Sequence, residues 1–138
     1  MGVILEAKNL HLSFKGVKAL TGVEFSVAEG EFFAVIGPNG AGKTTLLNVL
    51  SGVYEPDKGE VIFLGQSLRG KSPQERARMG LGRTFQGLEI FRGMSVLDNV
   101  KLGAELAIPS YPLALPRAER EWRLRAWAEE VLDYLHLS

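Results

Sequence analysis

Gly37-Pro38-Asn39-Gly40-Ala41-Gly42-Lys43-Thr44-Thr45 combines residue types and a spacing that suit one kind of chemistry, the holding of a phosphate chain. It fits the phosphate-binding pattern Gly-x4-Gly-Lys-Ser/Thr. Gly37, Gly40 and Gly42 can take positive φ, so consecutive backbone N–H groups can converge on one anion. Lys43 is placed to neutralise the β- and γ-phosphates of a nucleotide, and the Thr44 hydroxyl to ligate Mg²⁺.

The pattern expects a strand before the loop and a helix after it. Glu31-Phe32-Phe33-Ala34-Val35-Ile36 is a short apolar run of the kind that suits a buried parallel strand. From Thr44 to Ser51, Leu46, Leu47 and Leu50 recur at helical intervals, and Gly52 offers a stop. The helix adds its own unpaired N–H groups and positive dipole end to the anion site.

Around this centre, 3–14 and 17–27 read as strands with loosely alternating apolar residues, and Ala28-Glu29-Gly30-Glu31 as a tight connection. Glu55-Pro56-Asp57-Lys58-Gly59 is a turn signal followed by a strand over 60–65. Ser72-Pro73-Gln74-Glu75 carries a helix start, with Ser as N-cap, Pro at the first position and Glu three residues after the cap. That helix is predicted to run to about Met79. Leu81-Gly82-Arg83-Thr84-Phe85 is a further strand candidate, leading into a loop over 86–93. Ser95 is placed to cap a helix over 96–106. The three prolines of 108–116 mark an irregular connection, and 117–135 is helical, with Leu124, Trp127, Ala128, Val131, Leu132 and Leu135 on one face. Trp122 and Trp127 read as packing residues. Phe91 and Met94 read equally well as partner-facing or as satellite core.

Composition excludes several function classes. Among 138 residues, 16 Lys and Arg balance 16 Asp and Glu, which gives no field aimed at nucleic acid or an acidic membrane. The basic positions 117, 120, 123 and 125 alternate with Glu119 and Glu121, as on a solvated helix face. Without cysteine there are no disulfides, thiolate metal sites or cysteine nucleophiles. No apolar stretch is long enough to span a bilayer directly, and the start lacks a secretion signal, so the expected location is cytoplasmic.

Three features together identify a family. Phe14 precedes the loop at the right distance, the loop reads Gly-Pro-Asn-Gly-Ala-Gly-Lys-Thr-Thr, and Arg83-Thr84-Phe85-Gln86 follows a strand–helix–strand passage. Across essentially its whole length the chain resembles the ATP-binding subunit of ABC transporters. Residues 83–100 look most like the subgroup serving branched-chain amino acid uptake. The resemblance implies an α/β fold: a P-loop NTPase core with an N-terminal antiparallel β subdomain (1–95) and the start of a helical subdomain (96–138), truncated. It implies that Phe14 stacks on adenine and that Gly37, Pro38, Asn39, Gly40, Ala41, Gly42, Lys43, Thr44 and Thr45 hold ATP. Thr44 and Gln86 would meet Mg²⁺, and Lys43 and Gln86 would act on the γ-phosphate. The implied partners are transmembrane permease subunits, which would hold this chain peripherally on the cytoplasmic face of the membrane, and a second ATPase subunit, not nucleic acid. A soluble ABC-type ATPase acting on nucleic acid or ribosomes is the alternative, which the neutral charge disfavours.

The family also requires an LSGGQ-type signature, an apolar strand ending in Asp-Glu, and a downstream switch histidine. None is present: Leu50-Ser51-Gly52 ends the first helix, and His136 comes too early. The chain therefore reads as the N-terminal part of a longer ATPase domain. It is expected to bind nucleotide weakly at best and without turnover, since the Asp carboxylate partner of Mg²⁺ and the Glu that polarises water are missing.

Overall fold

Alternating apolar positions over the first part of the chain build a long hairpin. β1 (Val3–Phe14) and β2 (Val17–Ala28) pair antiparallel, with Phe14 opposite Val17 across the two-residue turn Lys15–Gly16. That turn has φ values of 47° and 85°, the primed geometry that matches strand twist. β3 (Lys58–Phe63) adds to the other edge of β1, and the short β4 (Gln66–Ser67) to β3, giving the antiparallel order β2-β1-β3-β4. The phosphate-loop segment and α1 (Lys43–Leu50) lie between β2 and β3, and α2 (Pro73–Arg78) follows β4.

The computed structural model describes residues 2–87, 90–107 and 116–137, in two compact units, Met1–Arg76 and Ala77–Ser138. In the first, Ala7, Leu10, Leu12 and Leu20 from the hairpin are buried together with Leu46 and Val49 of α1 and Val61, Phe63 and Leu68. Burial of about nine such side chains is the main stabilising term for a sheet-and-helix unit of this size. In the second, α3 (Val96–Ala107) and α4 (Arg117–Tyr134) bury Ala104, Leu124, Ala128 and Leu132. The last three sit at intervals of four and form the narrow apolar stripe of α4.

Local helix signals are realised as side-chain bonds. The Ser72 N–H donates to Glu75 Oε2 at 2.7 Å and the Glu75 N–H to Ser72 Oγ at 3.3 Å, a reciprocal capping box on α2. Ser95 Oγ accepts from the Asp98 N–H at 3.1 Å and donates to Asp98 Oδ2 at 2.7 Å, fixing the start of α3. Hydrogen bonds from Ser95 and then Lys101 hold the Asp98 carboxyl below its ordinary pKa, and Glu121 raises that of Lys101. The charged face expected on the last helix is paired: Arg123–Glu119 and Arg125–Glu129 along α4, Arg120–Glu105 and Lys101–Glu121 between α3 and α4.

Several expectations fail. No strand forms over 31–36, and Phe32 is 98% and Ile36 91% exposed. Only Phe33 finds a ring, stacking on Phe25 at 5.0 Å. A strand is made by its neighbours, and among the described residues none runs beside this segment to take its backbone groups. The same holds for 81–85, which is irregular. On α1 the buried pair is Leu46 and Val49, while Leu47 faces out. Trp122 does not pack: it is 68% exposed. The expected connection over 108–115 lies outside the described residues.

Candidate phosphate-binding site

The loop is built by a turn and a helix start. The Ala41 N–H donates to Pro38 O at 3.2 Å, and the Leu46 N–H to Gly42 O at 2.8 Å, so the chain passes from turn to helix within four residues. Gly40 and Gly42 have φ of 83° and 93°, whereas Gly37 lies outside the left-handed region. Gly37 serves by size instead, since a Cβ there would lie 3.1 Å from the Ala41 Cβ. Gly42 is needed twice over. It is the N-cap of α1 in the αL conformation, and a Cβ would sit 2.5 Å from Ala19 O of β2.

No side chain caps α1, so its first N–H groups have neither an intrahelical acceptor nor a side-chain one. No acidic residue occupies its first turn. A short anion of several oxygens is the partner such an end lacks. Lys43, the first residue of α1, turns its ammonium back on the loop and donates to Gly37 O and to Pro38 O, the latter at 2.8 Å. These carbonyls hold the cation over the loop. Thr44 is exposed and Thr45 half-buried. The donor set therefore fits a polyphosphate, with Lys43 as the cation and the Thr44 hydroxyl accessible to a metal ion.

Phe14 ends β1 at the tip of the hairpin and is 41% exposed. Its ring meets Tyr54 edge-on, with centroids 5.1 Å apart. Because Val17 is opposite Phe14 and Ala19 lies against Gly42, the hairpin brings the aromatic tip and the glycine loop onto one body. Gln86 lies in the second unit, exposed, in a bend after Phe85, whose ring carries the Arg83 guanidinium 4.7 Å from its centroid.

Two supporting residues escaped the sequence reading. Tyr54 follows the C-terminus of α1, where an aromatic gives no local signal of a distant ring. Arg76 of α2 is 2% exposed, and its guanidinium donates to the carbonyls of Val49 at 2.7 Å and Leu50 at 3.1 Å, at the end of α1. Burial pulls its pKa below the ordinary value, and Glu55 acts against that shift. The only hint in the sequence is a basic residue on a short helix, which is ordinarily a surface position. Among the described residues no cluster of His, Asp and Glu could hold a metal by itself, and no helix is long and apolar enough to cross a membrane.

Comparison with known proteins covers the whole site. A family model described as ABC transporter matches residues 20–138. The chain is 44% identical over 102 residues to the probable branched-chain amino acid transport ATP-binding protein LivG of Archaeoglobus fulgidus, covering 74% of this chain and 40% of that protein. It is 39% identical over 136 residues to the sulfate/thiosulfate import ATP-binding protein CysA of Bradyrhizobium diazoefficiens, covering 97% of this chain and 36% of that one. A crystal structure described as the ADP conformation of an ATP-binding cassette of an ABC transporter superposes with a TM-score of 0.79 at 31% identity, covering 100% of this chain and 56% of that one. The chain thus spans about half, or less, of the length of the proteins it matches.

Proposed function

This chain belongs to the ABC transporter family, and from that premise we propose that it supplies the ATP-holding half-site of an energy-coupling subunit. The observation that carries the reading is the start of α1: an uncapped helix N-terminus behind two positive-φ glycines, with the Lys43 ammonium held over the loop. Residues 37–45 hold the phosphates through backbone N–H groups, and Lys43 leaves its carbonyl partners for the β- and γ-phosphates. Phe14 takes the adenine ring. Thr44 and Gln86 would be the residues to hold Mg²⁺, which would supply charge neutralisation to the triphosphate. Within the parent assembly this half-site faces a second ATPase subunit, and the pair drives transmembrane permease subunits from the cytoplasmic face.

For the cargo we propose branched-chain or other hydrophobic amino acids. Residues 83–100 and the identity to the Archaeoglobus protein favour that class, while sulfate/thiosulfate and sugar transport proteins of about 40% identity are its competitors. The 138 residues carry no signature motif and no Asp-Glu strand, so they bind Mg–ATP without turning it over. Calorimetric titration with Mg–ATP is expected to show saturable one-site binding, with no phosphate release above the buffer rate. Steady-state hydrolysis that disappears in Lys43→Ala would sink the no-turnover reading, and absence of binding would sink the site.

The adenine contact has its own test. Phe14→Ala is expected to weaken ATP about tenfold while changing inorganic tripolyphosphate less than about twofold, the size of one base–aromatic stack. An equal loss on both ligands would assign Phe14 to the scaffold with Tyr54 rather than to the nucleotide.

A further inference from the structure

We infer that Arg76 is a positioning residue for the phosphate-binding loop, acting on it through the length of α1. The inference rests on the reading of 37–45 as a phosphate site and extends it to the opposite end of the helix. α1 has 8 residues, about 12 Å of rod, too short to persist by its own hydrogen bonds. Its first residue is Lys43, so the aim of the loop's N–H groups follows the axis of this rod. Three things set that axis. Gly42 abuts β2 at the front, Leu46 and Val49 face the core, and the rear is held by Arg76.

The rear contact is unusually complete. The one guanidinium donates to Val49 O at 2.7 Å, Leu50 O at 3.1 Å, Leu68 O at 2.9 Å and Lys71 O at 3.0 Å, and to Glu55 Oε1 at 3.1 Å. It thereby fastens the last turn of α1 to the segment after β4 and to the entry of α2. A packing role alone would favour an apolar side chain, because burying a charge is costly unless each donor is matched. The charge also has a direction. A cation at the C-terminus and an anion at the N-terminus favour the same helix dipole, so the guanidinium and the bound phosphates act on one element from its two ends. Removing the guanidinium leaves buried carbonyls unmatched, lets the last turn fray, and spoils the aim of donors at the other end.

The test uses the 138-residue chain with inorganic tripolyphosphate as the ligand, in Arg76→Met, Arg76→Lys and, as a stability control, Val61→Ala. Val61 is buried in β3, and although its carbonyl accepts the Leu68 N–H it is neither a loop residue nor an acceptor of the Arg76 guanidinium. Each variant is titrated at a temperature where circular dichroism shows it folded. Arg76→Met is expected to lose about tenfold in affinity and Arg76→Lys, which keeps the charge and some donors, about threefold. Val61→Ala should melt earlier yet bind like the parent. Should Arg76→Met fail to fold, Arg76→Lys decides alone: a loss beyond that of Val61→Ala supports the inference. Arg76 variants that bind like the parent, or no worse than Val61→Ala, overturn it. A parent that does not bind tripolyphosphate removes the phosphate reading itself, a different failure seen before any variant is made.

Discussion

Lys43→Ala is expected to lower the affinity of the chain for Mg–ATP by about a hundredfold while leaving its melting temperature within a few degrees of the parent. The ammonium is the one side-chain cation on the loop, and in the structure it already hovers over the loop, held by Gly37 O and Pro38 O. Those two carbonyls are exposed and can turn to water when the lysine is gone, so the fold loses little. The phosphates have no such replacement. Charge-assisted bonds to phosphate oxygens are about twice as strong as neutral ones, and losing them from a loop with no other side-chain cation leaves it backbone N–H groups and the helix dipole. Lys43→Arg is not expected to rescue, because the planar guanidinium is too wide to follow a point-charge path inside the loop. Titration calorimetry of the three proteins checks this directly. Comparable affinities for parent and Lys43→Ala would mean that the loop does not clasp a triphosphate.

Gly59→Ala is expected to be the most damaging single methyl group in the first unit. Gly59 sits inside β3 at a φ of 85°, where β1 and β3 change register between Lys8 and His11. A Cβ there would lie 2.3 Å from both Lys8 O and Asn9 O. Both obstacles are backbone of β1, the strand that also carries β2, so neither moves aside without parting the sheet. Left-handed strain in a non-glycine residue costs about 1 kcal/mol, and a backbone clash from two sides adds more, for a total of about 3 kcal/mol or above. For a chain of this length that corresponds to a fall in melting temperature of about 10 °C. Gly65→Ala is the matched comparison, because Gly65 has a φ of 76° with nothing within 4 Å of its added Cβ, so only the strain is incurred. Thermal melts of the two variants separate clash from strain. Equal melting temperatures would show that β1 yields to the extra methyl and that the register shift is soft.

Gly59 also shows where reading a sequence stops. Glu55-Pro56-Asp57-Lys58-Gly59 reads as a turn with its glycine at the late position. In the structure the chain has already re-entered the sheet at Lys58, and Asp57 closes the turn by accepting the Ser13 N–H at 2.8 Å and donating its own N–H to His11 O at 2.8 Å. The need for glycine was legible, and its cause lay on another strand.

What the sequence determined by itself was everything carried by short-range interactions. The glycine spacing before Lys43, the reciprocal bonds of Ser72 with Glu75, the Ser95 cap and the arginine–glutamate face of α4 each involve residues within a few positions of one another. Their geometry follows from the backbone they share. The two strands of the hairpin were legible as alternating runs, while their pairing, with its register shifts, was not. Tertiary structure decided the rest. An apolar run over 31–36 becomes a strand only beside another strand, so its composition could not settle its conformation. Burial of Arg76 depends on α1 carbonyls 26 and 27 positions away being unmatched at the place where its guanidinium arrives, and the meeting of Phe14 with Tyr54 depends on how α1 lies against the hairpin. Local order is written in neighbouring residues. Pairing and burial are properties of segments brought together from a distance, and they select which local possibilities are kept.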